Sequence, residues 1–288
     1  MRRWATRTTL RILSWLDQHR LTRRLAAMQH TNPLIRALSV RVSRRLRWRP
    51  LTILSGAGRG MRINLHGSAV AFATGVAERP LQGALAAELR PGATFFDIGA
   101  NVGYVTLIAA RLVGPSGRVV AFEPVPENVA AIRENLALNG IDWVEVHETA
   151  VARERGRAAL IISDVSAFSR LASVNVPTGA RETIEVQVIS IDEFMASPGA
   201  PVPDVIKIDV EGAELEVLEG MRETLAAHRP VLLCEVHDCN SEYVALVDAL
   251  GYVPVNLDAD VPIEQGNRNT HTLARPRADS EQQAGAAA

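Results

Sequence analysis

The stretch that most constrains this chain is Phe95-Phe96-Asp97-Ile98-Gly99-Ala100-Asn101-Val102-Gly103. After a helical stretch, predicted over residues 104–112, a second apolar run, Val119-Val120-Ala121-Phe122, ends in one acid, Glu123. Strand, glycine turn, helix and strand closed by a carboxylate describe a nucleotide-binding βαβ unit. Gly99 and Gly103 let the backbone approach a ligand with no Cβ in the way, and Glu123 falls where ribose hydroxyls would donate. A dinucleotide fold needs G-x-G-x-x-G so that a pyrophosphate can rest on the helix N-terminus. This turn lacks that pattern. Asp97, two residues before Gly99, would repel a pyrophosphate but suits the ammonium of an amino acid. An amino acid at one end and a ribose at the other predict S-adenosylmethionine as the ligand.

A second stretch, Asp204-Val205-Ile206-Lys207-Ile208-Asp209-Val210-Glu211-Gly212-Ala213-Glu214, reads as a strand running into a turn and a helix. Alternation puts Lys207 and Asp209 on one face and Ile206 and Ile208 on the other. Asp209 falls near the carboxyl end, outside which open α/β sheets bind their ligands. Of the 31 basic residues, Lys207 is the one lysine; the rest are arginine. A compact ammonium is what arginine cannot supply, so a functional role is expected of Lys207. Glu211 is expected to brace the turn, and Glu214 to meet the helix dipole in its first turn. His237 follows another buried run, residues 230–236, and is either a base of near-neutral pKa or a polar cap. Thr149 and Ala150, in the turn after a third strand over residues 143–147, fall where an adenine ring would lie.

These motifs, with Phe122-Glu123-Pro124-Val125-Pro126-Glu127-Asn128, resemble the FkbM family of S-adenosylmethionine-dependent methyltransferases over about residues 75–252. The resemblance implies a class I methyltransferase fold, that is, a Rossmann-like, mostly parallel seven-stranded sheet with helices on both faces. It also implies O-methylation of hydroxyls on sugars, polyketides or lipid-linked glycans. Lys207, Asp209, Glu211 and His237 are the expected catalytic group. Asp97, Gly99, Asn101, Gly103, Glu123, Asn128, Thr149 and Ala150 are the expected cofactor-binding group. No decisive metal-ligand set is legible, so no metal is expected. A nicotinamide-dependent oxidoreductase, or a silent module that binds S-adenosylmethionine without turnover, stands as the alternative.

The net charge of −1 hides an asymmetry. Residues 1–50 hold thirteen arginines against Asp17 alone, with Trp4, Leu10, Leu13, Trp15, Leu16, Leu21 and Leu25 at roughly helical spacing. A basic amphipathic helix suits docking on an anionic membrane surface or a partner. A cap on the acidic domain, a disordered tail or a targeting peptide are the bland readings. No nucleic-acid motif accompanies the charge, so no nucleic-acid partner is expected. No apolar run reaches the length of a membrane span or suits a signal peptide, which points to a cytoplasmic protein, peripheral at the inner membrane surface if the arm docks there. The two cysteines, Cys234 and Cys239, read as idle thiols in a reducing compartment. The catalytic domain is expected over residues 51–278. It opens with a hairpin and helix cap (51–90), in which Glu78 is a candidate substrate contact. A β-hairpin insertion carries a mobile lid at residues 166–175, and residues 279–288 form a disordered tail. The oligomeric state is not legible.

Overall fold

The computed structural model describes residues 49–66, 70–163, 170–171 and 180–278. The basic arm (1–48), all of the expected lid except Arg170–Leu171, and the tail (279–288) lie outside the described residues. The described chain opens with the antiparallel pair β1 (Leu51–Thr52) and β2 (Arg62–Ile63), then α1 (Val70–Thr74) and α2 (Arg79–Glu88). Next come β3 (Thr94–Ile98), α3 (Tyr104–Val113), β4 (Arg118–Phe122), α4 (Pro126–Leu138) and β5 (Val144–His147). Strands β6 (Ala150–Val151), β7 (Gly156–Ser163), β8 (Arg170–Leu171) and β9 (Ala180–Ile189) precede α5 (Ile191–Met195). The remainder is β10 (Val205–Ile208), α6 (Glu214–Glu219), α7 (Arg222–His228), β11 (Val231–His237), α8 (Asn240–Ala249), β12 (Tyr252–Asn256) and β13 (Asn269–Pro276).

The large sheet has the order β12-β13-β11-β10-β3-β4-β5. From β11 to β5 all neighbours are parallel, while β13 runs antiparallel to both β11 and β12. This is the seven-stranded, mostly parallel sheet that the resemblance implies. Strand alternation sorts its side chains between two cores. Phe95, Val119, Ala121, Val205 and Leu233 pack with Leu85, Leu107, Ile108 and Ile132 of α2, α3 and α4. Phe96, Ile98, Val120, Phe122, Ile206, Ile208 and Leu232 face Val217, Leu218, Leu225 and Tyr243 on the other side. Such strands, covered on both faces, read as continuous apolar runs. The polar exceptions therefore locate the site.

From β3 the chain moves outward through β4 and β5, then returns to place β10 on the opposite side of β3. The strand order reverses there, and the crevice outside the carboxyl ends is the expected ligand position. Gly99 makes the crevice by close approach: its φ is +78°, and a Cβ built on it would lie 1.8 Å from the Asp209 carbonyl oxygen.

The expected opening hairpin is present and short, two residues per strand, and Asn135 anchors the chain just beyond it. The buried Asn135 amide accepts from Asn64 N (2.6 Å) and donates to the Asn64 and Val102 carbonyls (3.1 and 2.8 Å). The insertion is a four-stranded sheet, β6-β9-β7-β8, rather than a hairpin. The helix after Ala213 breaks at Gly220, where a Cβ would meet the Ala152 carbonyl at 2.2 Å. Glu214 lies in the first turn of α6, as expected, with its side chain buried beside Val217 and Leu218.

Gly99→Ala should therefore force β3 and β10 apart and impose an unfavourable φ. Urea unfolding is expected to show a loss of at least about 2 kcal/mol; unchanged stability would contradict the close approach.

Candidate active site

The glycine turn is built around Glu123. Glu123 is buried at the end of β4, where its Oε2 accepts from Asn101 N (2.8 Å). Its Oε1 accepts from Val125 N (3.0 Å) and from Asn128 Nδ2 (3.1 Å). Burial pushes its carboxyl up to about 7 against these three donors and the Lys207 charge. A carboxylate has about four lone-pair sites, so one remains on Oε2 for a hydroxyl donor. Asn101 is held at φ +52°, and its enclosed Oδ1 makes no hydrogen bond. An enclosed unpaired amide oxygen at Asn101 and a spare carboxylate lone pair at Glu123 fit a nucleoside ligand. Gly103, at φ +83°, starts α3, and a Cβ there would press Ile132 at 3.2 Å. Thr149 and Ala150 sit on the same rim, since Glu123 N donates to the His147 carbonyl (3.1 Å). Ala150 pairs with Val188 in the small sheet, and the Thr149 hydroxyl donates to Gln187 O (3.0 Å).

On the other side of the crevice Lys207 faces Asp97 in exact parallel register. Its Nζ lies 3.2 Å from Asp97 Oδ1 and 3.3 Å from Asp209 Oδ2, and donates to Gly99 O at 2.7 Å. Asp97 is fully buried and also accepts from Thr106 Oγ1 of α3 (2.6 Å). Burial alone would lower the Lys207 pKa, but the charges of Asp97, Asp209 and Glu78 outweigh it and raise it further above its ordinary value. These charges favour the ammonium form of Lys207. Asp97 therefore anchors this ammonium. An acid in the middle of a buried strand pairs with the cation its register supplies.

His237 closes the group at the end of β11. Its Nδ1 is 2.7 Å from Oε1 of Glu214, which is fully buried and also accepts from Gly212 N (2.8 Å). Burial opposes protonation of His237, yet the Glu214 hydrogen bond and the charges of Glu214, Asp209 and Glu211 lift it to about 9. Both ring nitrogens thus face carboxylates, which holds the ring in place at the edge of the crevice. Glu211, at φ +54°, turns back to place Oε2 3.6 Å from His237 Nε2. Glu235 Oε1 lies 3.6 Å from the same nitrogen, and His271 stands opposite Glu235 in the strand register.

Glu78 reaches the same region from the cap. It sits at φ +51° before α2, in a turn gripped by Gln82, whose amide donates to Ala77 O (2.6 Å). The residue is partly exposed, but its Oε2 is enclosed and makes no hydrogen bond. Burial first, and then the Asp209 charge, push it up to about 7. Glu214, Glu235 and His271 were not picked out as site residues from the sequence. The signal available was alternation: Glu235 and His237 are polar positions two apart in an apolar run.

With that geometry in view, comparison with known proteins is specific. Residues 97–254, more than half of the chain, match the family model described as the methyltransferase FkbM domain. The chain is 31% identical to 31-O-demethyl-FK506 methyltransferase FkbM of Streptomyces tacrolimicus, over 58% of this chain and 75% of that protein. It is 32% identical to hexuronic acid methyltransferase AglP of Haloferax volcanii, over 49% of this chain and 55% of the relative. For 2-O-methyltransferase NoeI of Sinorhizobium fredii the figures are 28%, 49% and 62%. The chain thus spans three quarters of the first relative and a little over half of the other two.

The buried ion pair makes its own test. Lys207→Met leaves Asp97 buried and uncompensated and should cost about 3–5 kcal/mol in urea unfolding. Adding Asp97→Asn should recover part of that loss. Additive effects of the two substitutions would show that the charges do not interact.

Proposed function

We propose, for a chain that belongs to the FkbM methyltransferase family, that it methylates a hydroxyl on a sugar, glycan, polyketide or lipid-linked acceptor. S-adenosylmethionine is the methyl donor, and when bound it supplies an electrophilic methyl on a sulfonium. The observation that carries the hydroxyl reading is a pair of unlike carboxylates, Asp209 just after β10 and Glu78 of the cap, near enough that the Asp209 charge acts on Glu78. Asp209 is tied to Lys207 at 3.3 Å, whereas Glu78 is untied at Oε2 and raised to about 7. The relatives support the same reading, since two of them carry O-methyl chemistry in their names.

On this reading Glu123, oriented by Asn128 and by the Asn101 amide, takes a ribose hydroxyl on its free lone pair. Gly99 and Gly103 keep the turn close to the nucleoside, and Thr149 and Ala150 border the adenine. A neutral hydroxyl is a poor nucleophile, so its proton must leave as the new bond forms. Asp209, immobilised by Lys207, accepts the hydrogen bond that aims the acceptor oxygen. Glu78 Oε2 receives the proton, at the near-neutral pKa that general-base catalysis favours. Lys207 holds Asp209 in place, and much of the rate then comes from alignment of the reacting atoms. Glu211 and His237 border the acceptor side without carrying that proton.

The test is transfer of a labelled methyl from S-adenosylmethionine to a panel of glycan and polyketide hydroxyls. Asp209→Asn and Glu78→Gln should each lower turnover by about 10²-fold or more, with cofactor affinity nearly unchanged. Because the base must be ionised, kcat/KM should rise with pH to a plateau above about 7, and Glu78→Gln should flatten that rise. Wild-type turnover in both variants, on an acceptor the protein methylates, would place the chemistry elsewhere.

A further inference from the structure

We propose that Asp209, Glu211 and His237 form a binding site for a divalent first-row transition-metal cation. One ligand atom from each lies within 4.8 Å of the others. Bonds of about 2.0–2.2 Å to an ion would set such atoms about 3–4 Å apart, so the widest of the three separations has to close by at most about 1–2 Å, within the reach of side-chain rotation. Two elements supply them: the turn after β10 and the end of β11. The 26-position gap between Glu211 and His237 hides the set in the sequence, and this replaces the expectation of no metal.

His237 is the independent observation. Its side chain is 3% exposed, and its Nε2 makes no hydrogen bond. That nitrogen is aimed between Glu211 Oε2 and Glu235 Oε1, each 3.6 Å away. If Nε2 carries a proton, both carboxylates are too distant for a good hydrogen bond. If it carries a lone pair, it faces anionic oxygens. A cation seated among these groups takes the Nε2 lone pair, releasing any proton there to solvent, and neutralises the facing oxygens. Nδ1 is already held by buried Glu214 at 2.7 Å, the carboxylate–histidine arrangement that fixes a ligating ring and directs its other nitrogen to a metal.

The surrounding charge agrees. Asp97, Asp209, Glu211, Glu214 and Glu235 converge here, and Lys207 is committed to Asp97 and Asp209. One imidazole and two carboxylates suit Mn²⁺, Fe²⁺ or Zn²⁺ better than Mg²⁺ or Ca²⁺, which favour oxygen alone. Asp209 and Glu211 are 23% and 16% exposed, so the ion keeps an open side for water or for the acceptor oxygen. That last occupant rests on the methyl-transfer reading above, whereas the ion itself does not.

The experiment uses the full chain, stripped with chelator and titrated with Mn²⁺ while free Mn²⁺ is followed by electron paramagnetic resonance. One saturable Mn²⁺ per chain is expected. Affinity should fall at least about 10-fold in His237→Gln and Glu211→Gln, and about 10–100-fold in Glu214→Gln, which acts through the ring. A variant that fails to fold is replaced by spin-echo spectroscopy on Mn²⁺-loaded wild-type protein, where nitrogen modulation from one imidazole is expected. No saturable Mn²⁺, unchanged affinity in the His237 and Glu211 variants, or an echo without nitrogen would each overturn the site. S-adenosylmethionine titrated into the same stripped protein reports the cofactor reading separately.

Discussion

The fold and its site both depend on one buried ammonium. Lys207 joins β3 to β10 where the strand order reverses, touching Asp97, Asp209 and the Gly99 carbonyl at once. Through Asp97 the contact extends to Thr106 and so to the helix that follows the glycine turn. Three acceptors in three directions around one nitrogen suit a compact ammonium with rotatable donors; a planar guanidinium would reach past them. That is a physical reason for one lysine in a chain otherwise served by arginine. A buried ion pair is not by itself a source of stability, because desolvation offsets much of the attraction. Its value here is placement: it fixes Asp209 beside the crevice and holds the turn against the strand.

The fold was largely legible in the sequence because its central strands are apolar runs with single polar exceptions. Asp97, Lys207 and Glu123 are those exceptions, and each marks a point where the sheet meets the site. The turn glycines were legible for the same reason, since φ of +78° at Gly99 and +83° at Gly103 leaves few other residues. Pairing was harder. Asp97 suits a ligand ammonium as well as a lysine, and the lysine contact is set by the parallel register of β3 and β10, which no local pattern encodes.

The polar groups around His237 were hidden by tertiary structure. Glu214 has the position of a helix-dipole acid, yet its carboxylate is also buried against the ring of His237. Glu78 comes from the cap, more than a hundred residues before Asp209, and owes its raised pKa to burial that no local pattern encodes. Glu211 reaches the group because a non-glycine residue is held at positive φ, a strain of the kind that gathers at functional sites.

The central claim is that the nucleoside and the acceptor meet across the reversal point between β3, β4 and β10. The most direct measurement is a crystal structure of the full chain with S-adenosylhomocysteine. The account predicts a ribose hydroxyl on Glu123, adenine bordered by Thr149 and Ala150, and the sulfur directed toward Asp209. A product bound with its ribose away from Glu123, or its sulfur turned from Asp209, would contradict it.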